Sequence, residues 1–143
     1  MTPEESMQIL VCDYIKTQYK NTIFFSDSSG LRLPIGLAKK AKAMRGSRGI
    51  PDLFIAEPAK SNEGIYLGLF IELKKECPFK KDGSLKSQIK DETIKGLTFK
   101  YDHLKEQSDI IDRLNKKGYL ACFSWSVEMT INIIDEYMKR KLN

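Results

Sequence analysis

The chain has 143 residues, 41% of them hydrophobic and 30% charged, the size and make-up of one globular domain, which excludes a multidomain machine. Its three cysteines (Cys12, Cys77 and Cys122) are widely spaced, form no CxxC pair and have only His103 to help them, which argues against a disulfide framework or a structural zinc site. Lys and Arg number 24 against 19 Asp and Glu, a net charge of +5 that favours an acidic partner.

The opening MTPEESMQIL is acidic and has no apolar stretch. No apolar run approaches the roughly 18 residues that span a bilayer. The expectation is therefore an intracellular protein without a signal peptide or a membrane partner, in the cytoplasm or nucleoid of a bacterial or virus-infected cell. Thr2-Pro3-Glu4-Glu5 carries a cap, a proline at the first helical position and a Glu three after the cap. Met7, Leu10, Val11 and Tyr14 follow at helical spacing and predict a helix over about 3–20. Thr22 to Ser26 reads as a short strand, and Asp27 to Gly30 as a turn. A basic helix is expected from Leu33 to Arg45.

Two apolar runs come next, Asp52–Ala56 and Ile65–Lys74, separated by the turn-rich Glu57–Gly64; they predict a hairpin. Lys75 to Lys100 is polar and lysine-rich and is expected to form a loop or a short helix over about 86–96. Leu104, Gln107, Ile110, Ile111 and Leu114 share one side of a helix over about 102–117, which Gly118 stops. Leu120–Ser124 reads as a buried strand. Ser126 caps a last helix lined by Val127, Ile131, Ile134 and Met138.

Two segments bear on function. From Ser28 to Pro51 there are six basic residues (Arg32, Lys39, Lys40, Lys42, Arg45 and Arg48) and no acidic one, a local positive field suited to a phosphate backbone. A solvated helix face with idle lysines would carry the same composition. The second segment is Gly49-Ile50-Pro51-Asp52, followed twenty residues later by Glu72-Leu73-Lys74. Strand alternation puts Glu72 and Lys74 on one face. If the hairpin is centred on Asn62, opposed residues sum to about 124, so Asp52 and Glu72 face each other with Cβ atoms about 5 Å apart. Two carboxylates so close, among Leu53, Phe54, Ile55, Phe70 and Ile71, repel unless a cation lies between them. A hard, oxygen-seeking ion such as Mg²⁺ fits. Lys74 is placed to position a water or to stabilise a phosphoryl transition state. The plain reading of the same residues is a charged hairpin end and a turn aspartate.

With Asp52, Glu72 and Lys74 in this strand setting, the sequence resembles the PD-(D/E)xK nuclease superfamily, and within it the small stand-alone, virus-type VRR-NUC branch. Members open with a helix carrying Glu and, four residues on, Gln, matched by Glu4 and Gln8. A Gly- and Arg-containing turn (Ser29-Gly30-Leu31-Arg32), a basic helix (Lys39 to Arg45) and a G-x-P-D-L stretch (Gly49 to Leu53) follow. Gln107, Leu114 and Gly118 match the spacing of the later helix, so the resemblance runs from Glu4 to about Met138. The stretch Lys75–Glu106 departs from it, being longer and more lysine-rich than in compact members. Glu5 competes with Glu4 for the opening acid, but Glu5 holds the capping-box position.

The resemblance implies one VRR-NUC-like domain over 1–143, with an α/β, restriction-endonuclease-like core in α-β-β-β-α-β order: a central mixed sheet flanked by helices. It implies a nuclease dependent on Mg²⁺ or Mn²⁺, with Asp52, Glu72 and Glu4 at the metal, Lys74 and Gln107 completing the catalytic set, and the six basic residues binding DNA. Stand-alone members act as homodimers on branched DNA such as Holliday junctions or flaps and leave 5′-phosphate and 3′-hydroxyl ends. Two other functions are compatible with the residues: a non-catalytic nucleic-acid-binding module, and a protein-interaction factor on the same scaffold. Weaker signals are set aside. Gly64-Ile65-Tyr66 lacks the second half of a GIY-YIG signature, Gly46–Gly49 has the GxxG form of an RNA-binding loop in the wrong fold order, and His103 has no partner for a Ser-His or Cys-His triad. Cys12, Cys122 and Trp125 are expected in the core.

Overall fold

The computed structural model of the chain describes residues 1–27, 31 and 33–142. Thr2 starts the fold: its Oγ1 accepts the Glu5 backbone N–H at 3.1 Å while the Glu5 carboxylate accepts the Thr2 N–H at 2.8 Å. This reciprocal cap opens helix α1 (Pro3–Gln18). Strand β1 (Phe24–Ser26) and helix α2 (Ile35–Met44) follow, both shorter than the sequence predicts. Pro34 sets the start of α2, and the helix buries no residue.

Strand β2 (Leu53–Ile55) pairs antiparallel with β1 and with β5 (Leu69–Leu73). The β2–β5 register is Leu53↔Ile71, Phe54↔Phe70 and Ile55↔Leu69, so opposed numbers sum to 124 as the spacing predicts. The expected single strand 65–74 is interrupted. Ala59–Lys60 (β3) and Ile65–Tyr66 (β4) form their own small ribbon. The backbone breaks at Leu67, whose N–H donates to the Gly118 carbonyl at 2.9 Å instead of to β2.

The segment expected as a loop or short helix over 86–96 is a β-hairpin: β6 (Ile89–Ile94) and β7 (Leu97–Asp102) pair along all six residues. Lys95 and Gly96, at φ 50° and 80°, make the two-residue turn that matches strand twist. Lysines obscure this pattern, yet the residues flanking Lys95-Gly96 include Ile, Thr, Phe and Tyr, all strand formers. Helix α3 (His103–Lys116), strand β8 (Leu120–Ser124) and helix α4 (Val127–Met138) complete the chain. Gly118, at φ 99°, stops α3.

The main sheet has the order β1-β2-β5-β8, antiparallel except for the parallel β5–β8 pair. Without α2, the β3–β4 ribbon, the β6–β7 arm and α4, the chain runs α1-β1-β2-β5-α3-β8, the expected α-β-β-β-α-β core. Leu53, Ile55, Leu69, Ile71 and Leu73 point to one side, where Met7, Val11 and Ile15 of α1 and Ile134, Tyr137 and Met138 of α4 cover them. Asp135 clamps those two helices, accepting from the Tyr14 hydroxyl at 2.7 Å and the Tyr19 hydroxyl at 2.6 Å. On the opposite side, Leu104 and Ile111 of α3 pack on Ala121 and Phe123, with Phe70, Phe79 and Trp125 around them. Cys12 and Cys122 pack against the first cluster, where burial pushes the Cys122 thiol up to about 11. No helix among the described residues is long and apolar enough to cross a membrane.

Candidate active site

Because β5 alternates, Leu69, Ile71 and Leu73 face α1 and α4, and Glu72 faces the α3 side. Asp52 lies one pair beyond Leu53↔Ile71, opposite Glu72. The Leu73 backbone N–H donates to Asp52 Oδ2 at 2.9 Å, and the Asp52 carbonyl accepts the Asp27 N–H at 2.7 Å. Asp52 is thus held at both its side chain and its backbone.

Glu72 is 3% exposed. Burial, a side-chain hydrogen bond to Asp52 and the Asp52 charge push its carboxyl well above the usual range, Lys74 opposes them, and Glu4 adds a further upward push. Removing a carboxylate from water beside a second one favours the neutral form unless a cation compensates. Lys74 is half-buried, its backbone N–H donating to the Ser124 carbonyl at 2.8 Å. Ser124 is anchored in turn: its Oγ lies 2.6 Å from Thr130 Oγ1, and the Thr130 hydroxyl donates to the Ser126 carbonyl at 2.7 Å.

Gln107 enters from α3 on the same side of the sheet. It is 6% exposed, and its Oε1 has no hydrogen-bond partner among the described residues, an arrangement that costs about 1–3 kcal/mol when left unsatisfied. Gly49 brings the Gly49-Ile50-Pro51-Asp52 segment against that helix. At φ 75°, a Cβ there would lie 3.2 Å from the Glu106 carbonyl carbon and oxygen and 3.3 Å from the Gln107 nitrogen. The only local sequence signal of this close approach is the glycine itself. Nor does the sequence signal the work of Gln8, whose Nε2 donates to Ser26 Oγ at 2.6 Å and to the Asp27 carbonyl at 2.7 Å. Through Asp27, Gln8 ties α1 to the backbone of Asp52.

Glu5 is occupied in the cap, whereas the Glu4 charge is felt at Glu72. Among the described residues, no three His, Cys, Asp or Glu side chains converge closely enough to hold a metal by themselves. The structure therefore brings Asp52 and Glu72 together and leaves Glu4 outside the pair. The donor set fits a hard divalent cation: two opposed carboxylates, one of them buried and pushed toward protonation, on the side of the sheet that α3 covers.

The basic residues divide into groups. Lys39 and Lys40 are exposed on α2. Lys42 Nζ lies 3.6 Å from Glu92 Oε1 on β6. Arg48 pairs with Glu92 and, at 3.5 Å, with Glu106, and its guanidinium lies 4.5 Å from the Tyr101 ring centroid. Arg45 is exposed just past α2. Arg32, with the Ser28–Gly30 turn, lies outside the described residues. His103, at the start of α3, is lowered to about 4 by burial and by the positive charges of Lys90, Lys74 and Arg48, so it is neutral at pH 7.

No protein-family model and no curated protein matches the sequence. Among solved structures, the chain is similar to a VRR_NUC domain protein, with a TM-score of 0.58 at 22% identity over 98% of this chain and 91% of that one. That likeness defines the fold. The chain has the mixed sheet and flanking helices of that protein, the fold that its sequence resemblance implies.

Proposed function

We propose that the protein is a DNA nuclease dependent on Mg²⁺ or Mn²⁺, one catalytic domain spanning the chain and working inside the cell. The observation that carries this reading is the opposed pair Asp52 and Glu72, in which burial and the neighbouring carboxylate drive Glu72 toward its neutral form. The VRR_NUC designation of the structural neighbour supports it.

In this reading Asp52 and Glu72 would hold the ion, with the Asp52 carboxylate positioned by the Leu73 N–H. The ion supplies charge neutralisation at the phosphate and lowers the pKa of the attacking water. Lys74, on the same strand face as Glu72, orients that water and offsets the charge that builds on the phosphoryl oxygens. Water oxygen bonds to phosphorus as the bond from phosphorus to the 3′-oxygen breaks. The departing oxygen takes up a proton, leaving a 5′-phosphate and a 3′-hydroxyl. Gln107 uses its unpartnered Oε1 to accept from the water or from the ion's hydration shell, and Glu4 adds negative charge through water from α1. Lys39, Lys40, Lys42, Arg45 and Arg48 bind the DNA backbone, and Arg32 is assigned the same role from the sequence. Branched DNA is the proposed substrate and a homodimer the proposed assembly.

The test is cleavage of a labelled panel (single strand, duplex, flap and four-way junction) in Mg²⁺, in Mn²⁺ and in EDTA, with sedimentation to read the assembly. Cutting that needs metal and is lost in Lys74→Ala, still folded by circular dichroism, supports the nuclease. A Lys74→Ala protein that cuts as fast as wild type overturns the proposed chemistry.

A further inference from the structure

The β6–β7 arm is a two-stranded sheet of its own, with no hydrogen-bonded neighbour in the main sheet among the described residues. Its root adjoins the candidate site: the His103 N–H donates to the Gln88 carbonyl at 2.8 Å, and the charges of Lys74 and Lys90 both bear on His103. From the root to the Lys95-Gly96 turn the arm extends about 17 Å, at about 3.4 Å per residue. That is the length of about five stacked base pairs, half of a DNA helical turn.

Opposed residues share a face, so Lys90, Glu92, Ile94, Leu97, Phe99 and Tyr101 lie on one side of the arm. That side looks toward α2, as the Lys42–Glu92 and Arg48–Glu92 pairs and the Arg48 guanidinium over Tyr101 show. Yet Ile94 is 49% exposed, Leu97 64% and Phe99 52%. Three large apolar side chains stand open beside exposed Lys90 and Lys95 and opposite a helix whose Lys39 and Lys40 are also exposed. An apolar strip between cations matches unstacked bases, which present flat apolar faces on an anionic backbone. It matches a duplex poorly, because paired bases offer edges rather than faces. Apolar side chains inserted between base steps are also what holds a strand away from its stack.

We propose that the Ile94–Leu97–Phe99 face of the β6–β7 arm receives unpaired bases of the DNA, while Lys90, Lys95 and the lysines of α2 hold the flanking phosphates. This rests on the nuclease reading for its substrate and deepens it: the arm selects DNA whose bases are already exposed, at single-stranded ends or branch points, and delivers the adjoining backbone to Asp52 and Glu72.

The test is equilibrium binding, read by fluorescence anisotropy in EDTA so that no cutting intervenes, of an oligothymidine strand and of a duplex of equal length. The variant is Leu97→Thr/Phe99→Thr, which keeps strand-forming residues at exposed positions, with Thr93→Ala/Thr98→Ala on the other face as its control. The expected result is a loss of about tenfold or more in single-strand affinity, as stacking losses run, with duplex affinity and the salt dependence unchanged and the control like wild type. Equal losses on both DNAs, no loss, a wild-type protein that does not bind the strand, or a variant that changes its sedimentation from that of wild type would each overturn the proposal, the last by making the face a contact between copies. If the variant loses single-strand binding as expected but the wild-type protein cuts nothing in either metal, the arm's assignment stands and the nuclease reading falls.

Discussion

The Leu73 backbone N–H donates to Asp52 Oδ2 at 2.9 Å, so the residue that follows Glu72 on its strand holds Asp52 beside Glu72. The candidate metal site is thereby built into the pairing of β2 with β5.

Keeping it assembled without an ion has a cost that should be measurable. The Glu72 carboxyl is raised by burial, by its hydrogen bond to Asp52 and by the Asp52 charge. A carboxyl raised on folding contributes stability that is fully present below its unfolded value near 4.5 and is lost as pH rises through the folded value. Metal-free protein should therefore be stabilised at pH 7–8 by Glu72→Gln, by a few degrees in melting temperature, corresponding to about 1 kcal/mol. Adding Mg²⁺ should raise the wild-type midpoint and leave that of the variant nearly unmoved. Thermal unfolding in EDTA and in Mg²⁺ checks both.

His103 acts in the opposite direction. Its pKa falls to about 4 in the folded chain through burial and the positive charges of Lys90, Lys74 and Arg48. Its contribution to stability is present above the unfolded value of 6.5 and is lost as pH falls toward about 4. The wild-type melting temperature minus that of His103→Gln should therefore decline steadily from pH 6.5 to pH 4 and be flat above 7.

Ser124 and Thr130 should respond unequally to substitution. Thr130 donates to the Ser126 carbonyl, so the Ser124 hydroxyl must be the donor of the 2.6 Å contact between them. Thr130→Val leaves a buried donor without a partner and should cost about 2–3 kcal/mol. Ser124→Ala removes that donor and leaves Thr130 with its bond to Ser126, and should cost about 1 kcal/mol. Urea denaturation of the two variants measures the difference. Because the Ser124 carbonyl also receives the Lys74 N–H, Thr130→Val should lower the cleavage rate as well.

Gly49→Ala should cost about 1–3 kcal/mol, since an L residue at φ 75° is strained and its Cβ would press on the Glu106 carbonyl. The strain falls three residues from Asp52. Cleavage should thus drop by more than the folded fraction does, which a rate measured at a temperature where the variant is fully folded will separate from simple unfolding.

The hairpin register was legible because β2 and β5 are apolar runs placed symmetrically about Asn62, and one face of each is buried. A one-residue slip would have exposed Leu53, Ile55, Leu69 and Ile71. Asp52 and Glu72 then fall opposite each other without further assumption. Helix α3 was legible from its apolar stripe and from Gly118. The β6–β7 arm was not, because its strands bury almost nothing and so lack the alternation that marks a half-buried strand; only Lys95-Gly96 signals the turn. The same holds for Arg48, which reads as a free cation in a basic segment but finds Glu92 and Glu106 at 44 and 58 residues' separation. No local pattern carries a contact of that range. Gln8 was visible as a residue at the right spacing, while the two oxygens it donates to, on Ser26 and Asp27, depend on how α1 lies across the end of β1.

The central claim is that Asp52 and Glu72 jointly hold the ion that cleavage needs, and Asp52→Asn tests it most directly. An asparagine can still accept the Leu73 N–H through its carbonyl oxygen, so the fold is retained while the charge is lost. Single-turnover cleavage in Mg²⁺, beside wild type and a wild-type reaction in EDTA, should show a fall of about 10³-fold or more for the variant and no cutting without metal. A variant that cuts within about twofold of wild type, or a wild-type protein that cuts equally in EDTA, would contradict the account.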